Sequence, residues 1–211
     1  MSLISYNELC ELVEQGVIAG VDPSRINSAS IDLTLGNKLL NEGSNPRIKF
    51  KSLSKKEKLD MYEWDLEQGA YLLHPGEFVL AHTVERFYLP DYISAEYKLK
   101  SSMARLGLEH LNAGWCDAGW HGSVLTLELK NMTRSHCIEL NHKDPIGQIV
   151  FFKHDPVPKD KSYAARGRYN HDLSVSGVKK DGHKTSKSET QFAGTEGQGI
   201  QVSQEDLESR N

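Results

Sequence analysis

The chain is short of cysteine. Its 211 residues hold three, Cys10, Cys116 and Cys137, and an odd, widely spaced set makes no disulfide framework. It is short of positive charge as well, with 25 Lys and Arg against 29 Asp and Glu, a net charge of -4. Proteins that bind nucleic acid are usually strongly basic, so that class is disfavoured. A small anionic ligand is not excluded, because a pocket can be locally positive in an acidic protein. Hydrophobic residues reach only 38%, so part of the chain is expected to lie outside the core. No apolar run has the length of a transmembrane helix, and the N-terminus "MSLISYNELCELVEQG" has neither a basic leader nor an apolar signal core. The expectation is a cytoplasmic protein with no membrane and no nucleic-acid partner.

What is present is a pattern of short strands behind one helix. Ser5 and Glu8 have the spacing of a capping box, Ile4 and Leu9 that of a hydrophobic staple, and Gly16 is a natural stop. "ASIDLTLG" alternates, with Ile31, Leu33 and Leu35 on one face and Asp32 and Thr34 on the other. "YLLHPGEFVLAHTVERFYLP" reads as strand, Pro-Gly turn, strand. "SVLTLELKN" is another alternating strand and "IGQIVFF" a nearly continuous apolar one. Many short strands and few helices predict a mainly β fold, a barrel or a sandwich. From about Leu173 onward Ser, Gly, Lys, Gln and Glu dominate, which predicts a domain over 1–172 and a polar, flexible tail over 173–211.

Three stretches could carry chemistry. In "KSSMARLG", Ser101 or Ser102 is a good N-cap and Gly107 a good C′ residue, so Ser101, Ser102 and Arg105 can converge on one short helical turn. Beside Lys100 such a turn is either an ordinary capped surface feature or a phosphate site. In "SVLTLELKN", Leu125, Leu127 and Leu129 share one face and Glu128 falls on the other with Thr126. That glutamate is either solvated or a general base whose pKa burial raises. Asp117 in "CDAGWHG" is either a turn residue or a carboxylate that holds a sugar hydroxyl or activates water. Zinc deaminases of nucleobases carry H-x-E and P-C-x-x-C, and neither occurs here.

Together "INSASIDLTLGNKL", "YLLHPGEFVLAHTVERFYLP", "KSSMARLGL", "AGWCDAGWHGSVLTLELKN" and "PIGQIVFF" resemble the dCTP deaminase family, in its order and spacing, over roughly residues 1–172. The resemblance implies a distorted, dUTPase-like β-barrel that forms a homotrimer with active sites between subunits. It implies zinc-free deamination of dCTP to dUTP, with Mg²⁺ riding on the triphosphate. By position, Lys100, Ser101, Ser102 and Arg105 would bind the triphosphate and line the site. Ser101 and the carbonyl of Ala113 would position the attacking water. Glu128 would move the proton, with Arg105 stabilising charge beside it. Asp117 would meet the 3′-hydroxyl, and the backbone of Thr126, Leu127 and Glu128 would read the pyrimidine. Tyr163, Arg168 and Asp172 would belong to a closing C-terminal segment.

The chain departs from the family pattern in three places. Asn112 stands where threonine is expected. Gly114-Trp115 matches members that also hydrolyse dUTP to dUMP and pyrophosphate, where deaminase-only members tend to carry His-Arg. Asp172 stands near an expected glutamine, where it would repel phosphates unless Mg²⁺ or Arg168 intervened. The expected function is therefore dCTP deamination, either alone or followed by a second, dUTP-hydrolysing step toward which Gly114-Trp115 leans. The alternatives are a dUTP diphosphatase alone or a silent nucleotide-sensing module.

Overall fold

The structure is a computed structural model, and it describes residues 1–43 and 49–179. One compact unit spans Met1–Asp181; the second, Gly182–Asn211, lies outside the described residues, and with it most of the expected tail. The elements run β1 (Ser2–Leu3), α1 (Tyr6–Glu14), β2 (Ile18–Ala19), β3 (Ile31–Thr34), β4 (Lys38–Asn41), β5 (Tyr62–Asp65), β6 (Tyr71–Leu73), β7 (Phe78–Tyr88) and β8 (Ile93–Leu99). There follow α2 (Ser101–Arg105), β9 (Leu108–His110), β10 (Trp115–Cys116), β11 (His121–Asn131), β12 (Ile138–Leu140), β13 (Pro145–Lys153) and α3 (Tyr163–Arg166). Among the described residues no helix is long and apolar enough to cross a membrane.

The mainly β class is as expected, but the described strands form distorted sheets rather than one closed barrel. One sheet runs β1-β13-β8-β10, with β3 also on β13; the other runs β5-β4-β7-β11-β9, with β2 also on β7; β12 and β6 make a small third. Their buried faces share one cluster. Ile31, Leu33, Ile149 and Phe151 come from the first sheet, and Val79, Ala81, Phe87, Leu127 and Leu129 from the second. The alternation in "SVLTLELKN" is realised as read, since Leu127 and Leu129 are fully buried and Thr126 and Glu128 lie half-buried on the other face.

Strand β7 carries an irregularity that ties the two sheets. Its register on β11 jumps between Val124↔Arg86 and Thr126↔His82. Thr83 fills the gap, its hydroxyl accepting from the Leu125 amide at 3.0 Å and donating to the Glu85 carbonyl at 2.9 Å. The bulge turns Glu85 inward, as bulges re-aim side chains. Its carboxylate, 1% exposed, accepts from the Thr34 amide at 3.0 Å and the Thr34 hydroxyl at 2.8 Å on β3. Burial pushes the Glu85 pKa up, and the Thr34 bonds pull against that.

The helix ends differ in detail from their sequence signals. Ser5 is the N-cap of α1, but its side chain makes no capping bond, so the capping box is not formed. Gly16 does stop the helix, at φ +73°. In α2 the N-cap is Lys100, also without a side-chain bond, and both serines sit inside the helix; Gly107 follows the C-cap at φ +89°. The staple residues Ile4 and Leu9 are both buried, at 2% and 0% exposure.

Phe87 on β7 is fully buried and stacks on Trp120 at 5.2 Å, where the long strands meet the loop before β11. Phe87→Ala should cost about 3–5 kcal/mol of stability, the usual range for emptying such a site. Urea unfolding checks it; a loss under about 1 kcal/mol would mean that the core closes over the gap.

Candidate active site

A cleft of about 690 Å³ opens on the non-core face of β11. Of the residues expected in a site, it is lined by Ala113, Trp115, Asp117, Thr126, Glu128, Tyr163 and Asp172. Three segments bring them together. The 113–117 loop and β10 pack on β8, β11 presents Thr126 and Glu128, and the chain after α3 returns along the start of β11. Leu127 turns its side chain into the core, so only its backbone can face a ligand.

The returning segment is zipped to the start of β11 through backbone and side-chain bonds. The Val124 amide donates to the Asp172 carbonyl at 2.8 Å, and the His171 amide to the His121 carbonyl at 3.0 Å. The Ser123 hydroxyl donates to the Tyr169 carbonyl at 2.7 Å, as does the Trp120 indole at 2.9 Å. Gly122 makes this approach feasible: it sits at φ +70°, and a Cβ there would lie 2.6 Å from the His171 ring.

Glu128 is altered by its surroundings. Burial raises its pKa, and its Oε2 is buried without a hydrogen-bond partner. Asp117, by contrast, is exposed and accepts from the Trp115 indole at 2.9 Å. Trp115 is 56% exposed and stacks on Phe152 at 6.1 Å. The space beside Gly114 is filled by Tyr97. A Cβ at Gly114 would stand 2.6 Å from the Tyr97 carbonyl, and the Tyr97 amide donates to Gly114 at 2.8 Å. Gly114 therefore lets two strands meet rather than leaving space for a ligand. Asn112 takes φ +57°, a left-handed conformation that asparagine tolerates and a β-branched threonine resists, which accounts for its departure from the pattern.

Asp172 has a cation that the sequence reading missed. Lys179 pairs with it, also donates to the Arg168 carbonyl at 3.3 Å, and stands 5.4 Å from the Tyr169 ring centre. The Ser176 hydroxyl adds a bond to Asp172 at 3.1 Å. Residues 173–179, read as the start of a flexible tail, thus fold back, and Ser176, Gly177 and Val178 line the cleft. Tyr169, Trp120 and the apolar Leu40, Phe78 and Leu80 were also missed as lining residues. The last two could have been found from the strand register, because Leu80 stands opposite Glu128 and Phe78 opposite Lys130.

Lys100, Ser101, Ser102, Arg105 and Arg168 do not line this cleft. Lys100 is bound to Asp32, and Ser101, Ser102 and Arg105 are exposed. Helix α2 instead borders a smaller cavity of about 220 Å³ through Met103 and Leu106. One chain therefore does not bring α2 and Glu128 into one pocket.

Residues 3–154 match the family described as dCTP deaminase-like. The chain belongs to that family. A relative from Methanospirillum hungatei JF-1, named dCTP deaminase, dUMP-forming, is 38% identical over 164 residues, covering 72% of this chain and 81% of that protein. A relative of the same name from Nanoarchaeum equitans is 36% identical over 176 residues, covering 75% of this chain and 87% of that one. The crystal structure of 2′-deoxycytidine 5′-triphosphate deaminase from Agrobacterium tumefaciens superposes with a TM-score of 0.56 at 26% identity. The match takes in 71% of this chain and 47% of that longer one.

The Lys179–Asp172 pair is half-buried and is worth up to about 1 kcal/mol, the top of the range for surface pairs. Lys179→Met should therefore lower amide-exchange protection over 173–179 by up to about 5-fold, with protection of β7 and β11 unchanged. Unchanged protection of the segment would show that the pair does not hold it.

Proposed function

We propose that this protein deaminates dCTP and hydrolyses the resulting dUTP to dUMP and pyrophosphate. The observation that carries the reading is Glu128, a carboxylate with a burial-raised pKa inside a cleft built from family motifs. Two relatives carry dUMP-forming names, which supports the second step. The three cysteines are unpaired, in keeping with a cytoplasmic setting. Residues 1–172 form the catalytic domain in this reading, with 173–179 docked on it.

In the first step the Ser101 hydroxyl and the Ala113 carbonyl orient a water. Glu128 takes one of its protons as the oxygen adds to C4 of the cytosine, and delivers that proton to the ring. The tetrahedral adduct then collapses: the proton of its new hydroxyl passes to the amino group as C4=O forms and the C–N bond breaks, ammonia leaves, and Arg105 stabilises the charge that develops. The backbone of 126–128 reads the pyrimidine edge. No zinc is required. In the second step Asp117 activates a water toward the α-phosphate, and Tyr163, Arg168 and Asp172 help enclose the nucleotide. Among the described residues no group of three or more His, Cys, Asp or Glu could hold a metal ion by itself. In this reading Mg²⁺ would be held chiefly by the phosphates, and it would polarise their oxygens. Lys179 lowers the negative charge that Asp172 presents to them.

The separation of α2 from the cleft supports a site shared between copies. Lys100, Ser101, Ser102 and Arg105 of one subunit would complete the nucleoside cleft of the next in a homotrimer. Leu106, Leu111 and Met132 are 59%, 50% and 60% exposed. Two of them flank β9 and the third is held beside Gly107 by its amide bond to that carbonyl, giving apolar surface next to α2 for a neighbour to cover.

Glu128→Gln keeps size and removes basicity, so dCTP turnover should fall about 10²–10⁴-fold. Incubation with dCTP and Mg²⁺, resolved by chromatography with ammonia measured in parallel, should yield dUMP and pyrophosphate, unaffected by a zinc chelator. Accumulation of dUTP alone would remove the second step, and a fully active Glu128→Gln would remove the first assignment. The rate should fall as pH drops through the Glu128 pKa, because only the carboxylate can take the proton. That acid limb should lie above the ordinary glutamate value of about 4.3.

A mixing experiment tests the shared site. Glu128→Gln and Arg105→Ala are each expected to be inactive. Co-refolded, they should regain part of the activity, because some sites then draw a native Glu128 from an Arg105→Ala copy and a native Arg105 from a Glu128→Gln copy. No recovery in mixed trimers would place both residues in one subunit's site.

A further inference from the structure

Among the described residues, three buried side-chain polar atoms lack a hydrogen-bond partner: Tyr97 Oη, His110 Nε2 and Glu128 Oε2. Such atoms are rare in folded proteins and call for an explanation. Here they belong to one cluster. His110 Nε2 stands 3.4 Å from Glu128 Oε2, with the histidine side chain 4% exposed and the glutamate 28%. The Tyr97 ring lies against the imidazole, centroids 4.4 Å apart at 53°. The residues come from three strands, Tyr97 from β8, His110 from β9 and Glu128 from β11, so the cluster is built by the tertiary fold. The next cross-strand pair along sets Glu109 against Lys130.

We propose that His110 is a positioning residue for Glu128: its Nε2 lies within 3.4 Å of Oε2, close enough to donate to it once the site closes, which leaves the other carboxylate oxygen, Oε1, to act in the cleft. Two bare acceptors buried 3.4 Å apart would repel, so a proton must lie between them. If it sat on the carboxyl, Glu128 would arrive as an acid and not as a base. On a neutral imidazole it leaves the carboxylate free to take a proton from water. Burial keeps the imidazole neutral, lowering its pKa to about 4. A neutral donor fixes the carboxylate without adding a full positive charge, so the burial that makes Glu128 a stronger base is only partly offset. Tyr97 sets the plane of the ring. The gap tightens to an ordinary hydrogen bond when the site closes, as catalytic contacts commonly do.

The inference rests on the role given to Glu128 above, and its test separates the two. His110→Phe keeps a flat ring against Tyr97 and removes the donor. It should lower kcat for dCTP about 10–100-fold, with KM changed less than about 3-fold, because the lost group acts on the base and not on substrate binding. Loss of a bond to the charged form should move the acid limb of kcat upward in pH. His110→Gln, which retains an N–H donor, should recover much of the rate. In a Glu128→Gln background, His110→Phe should change the residual rate less than about 3-fold, since the two act as a unit. A readout free of turnover is the nitrogen NMR of the His110 ring. It should report a neutral, Nε2-protonated imidazole from pH 5 to 8 that responds to Glu128→Gln. A His110→Phe protein with unaltered kcat and acid limb would overturn the proposal. So would an imidazole that lacks the Nε2 proton or titrates near the ordinary 6.5. A wild-type chain that never deaminates dCTP, yet shows the expected ring state, would sink the function and leave the pairing intact.

Discussion

The pairing of β7 with β11 is the constraint on which the rest depends. Both strands run eleven residues, and their register holds from Thr126↔His82 to Lys130↔Phe78. Because side chains alternate, this one register puts Leu127 and Leu129 in the core and Thr126 and Glu128 in the cleft. A slip of one residue would exchange the two sets, burying a carboxylate among leucines. The bulge at Thr83–Glu85 guards against such a slip, because Glu85 is anchored to Thr34 on the other sheet. A buried carboxylate left without those donors would be costly, so the anchor specifies one arrangement as well as adding stability.

The cleft is made of a rigid part and a strapped part. Strand β11 and the Gly114 contact with β8 belong to the sheets. The segment from Tyr169 to Lys179 is held by a short run of backbone and side-chain bonds and by the half-buried Lys179–Asp172 pair. Such a segment can open at modest cost, which suits a wall that must admit and release a ligand. The same pair resolves a conflict in the sequence. An aspartate that would repel an anion is met by the chain's own lysine a few residues on.

Glu128 and Asp117 show how environment divides labour between two carboxylates. Glu128 lies against buried aromatic and imidazole groups, and its basicity is raised. Asp117 is exposed and already holds an indole N–H. Similar side chains are thus poised differently by burial and hydrogen bonding alone.

The sequence by itself determined the local grammar. The leucine alternation of "SVLTLELKN" placed Glu128 on the non-core face, Gly16 and Gly107 ended their helices, and the ordered motifs marked the family. Periodicity and turn chemistry are properties of neighbouring residues, so they are legible without a fold. The tertiary structure decided what met across the chain. It withheld the capping bonds of Ser5 and the α2 serines, filled the space beside Gly114 with Tyr97, and kept α2 out of the Glu128 cleft. It also joined Asp172 to Lys179 and gathered Tyr97, His110 and Glu128 from three strands. Burial and orphaned hydrogen-bond groups arise only when distant segments exclude water together, and spacing along one chain carries no record of that.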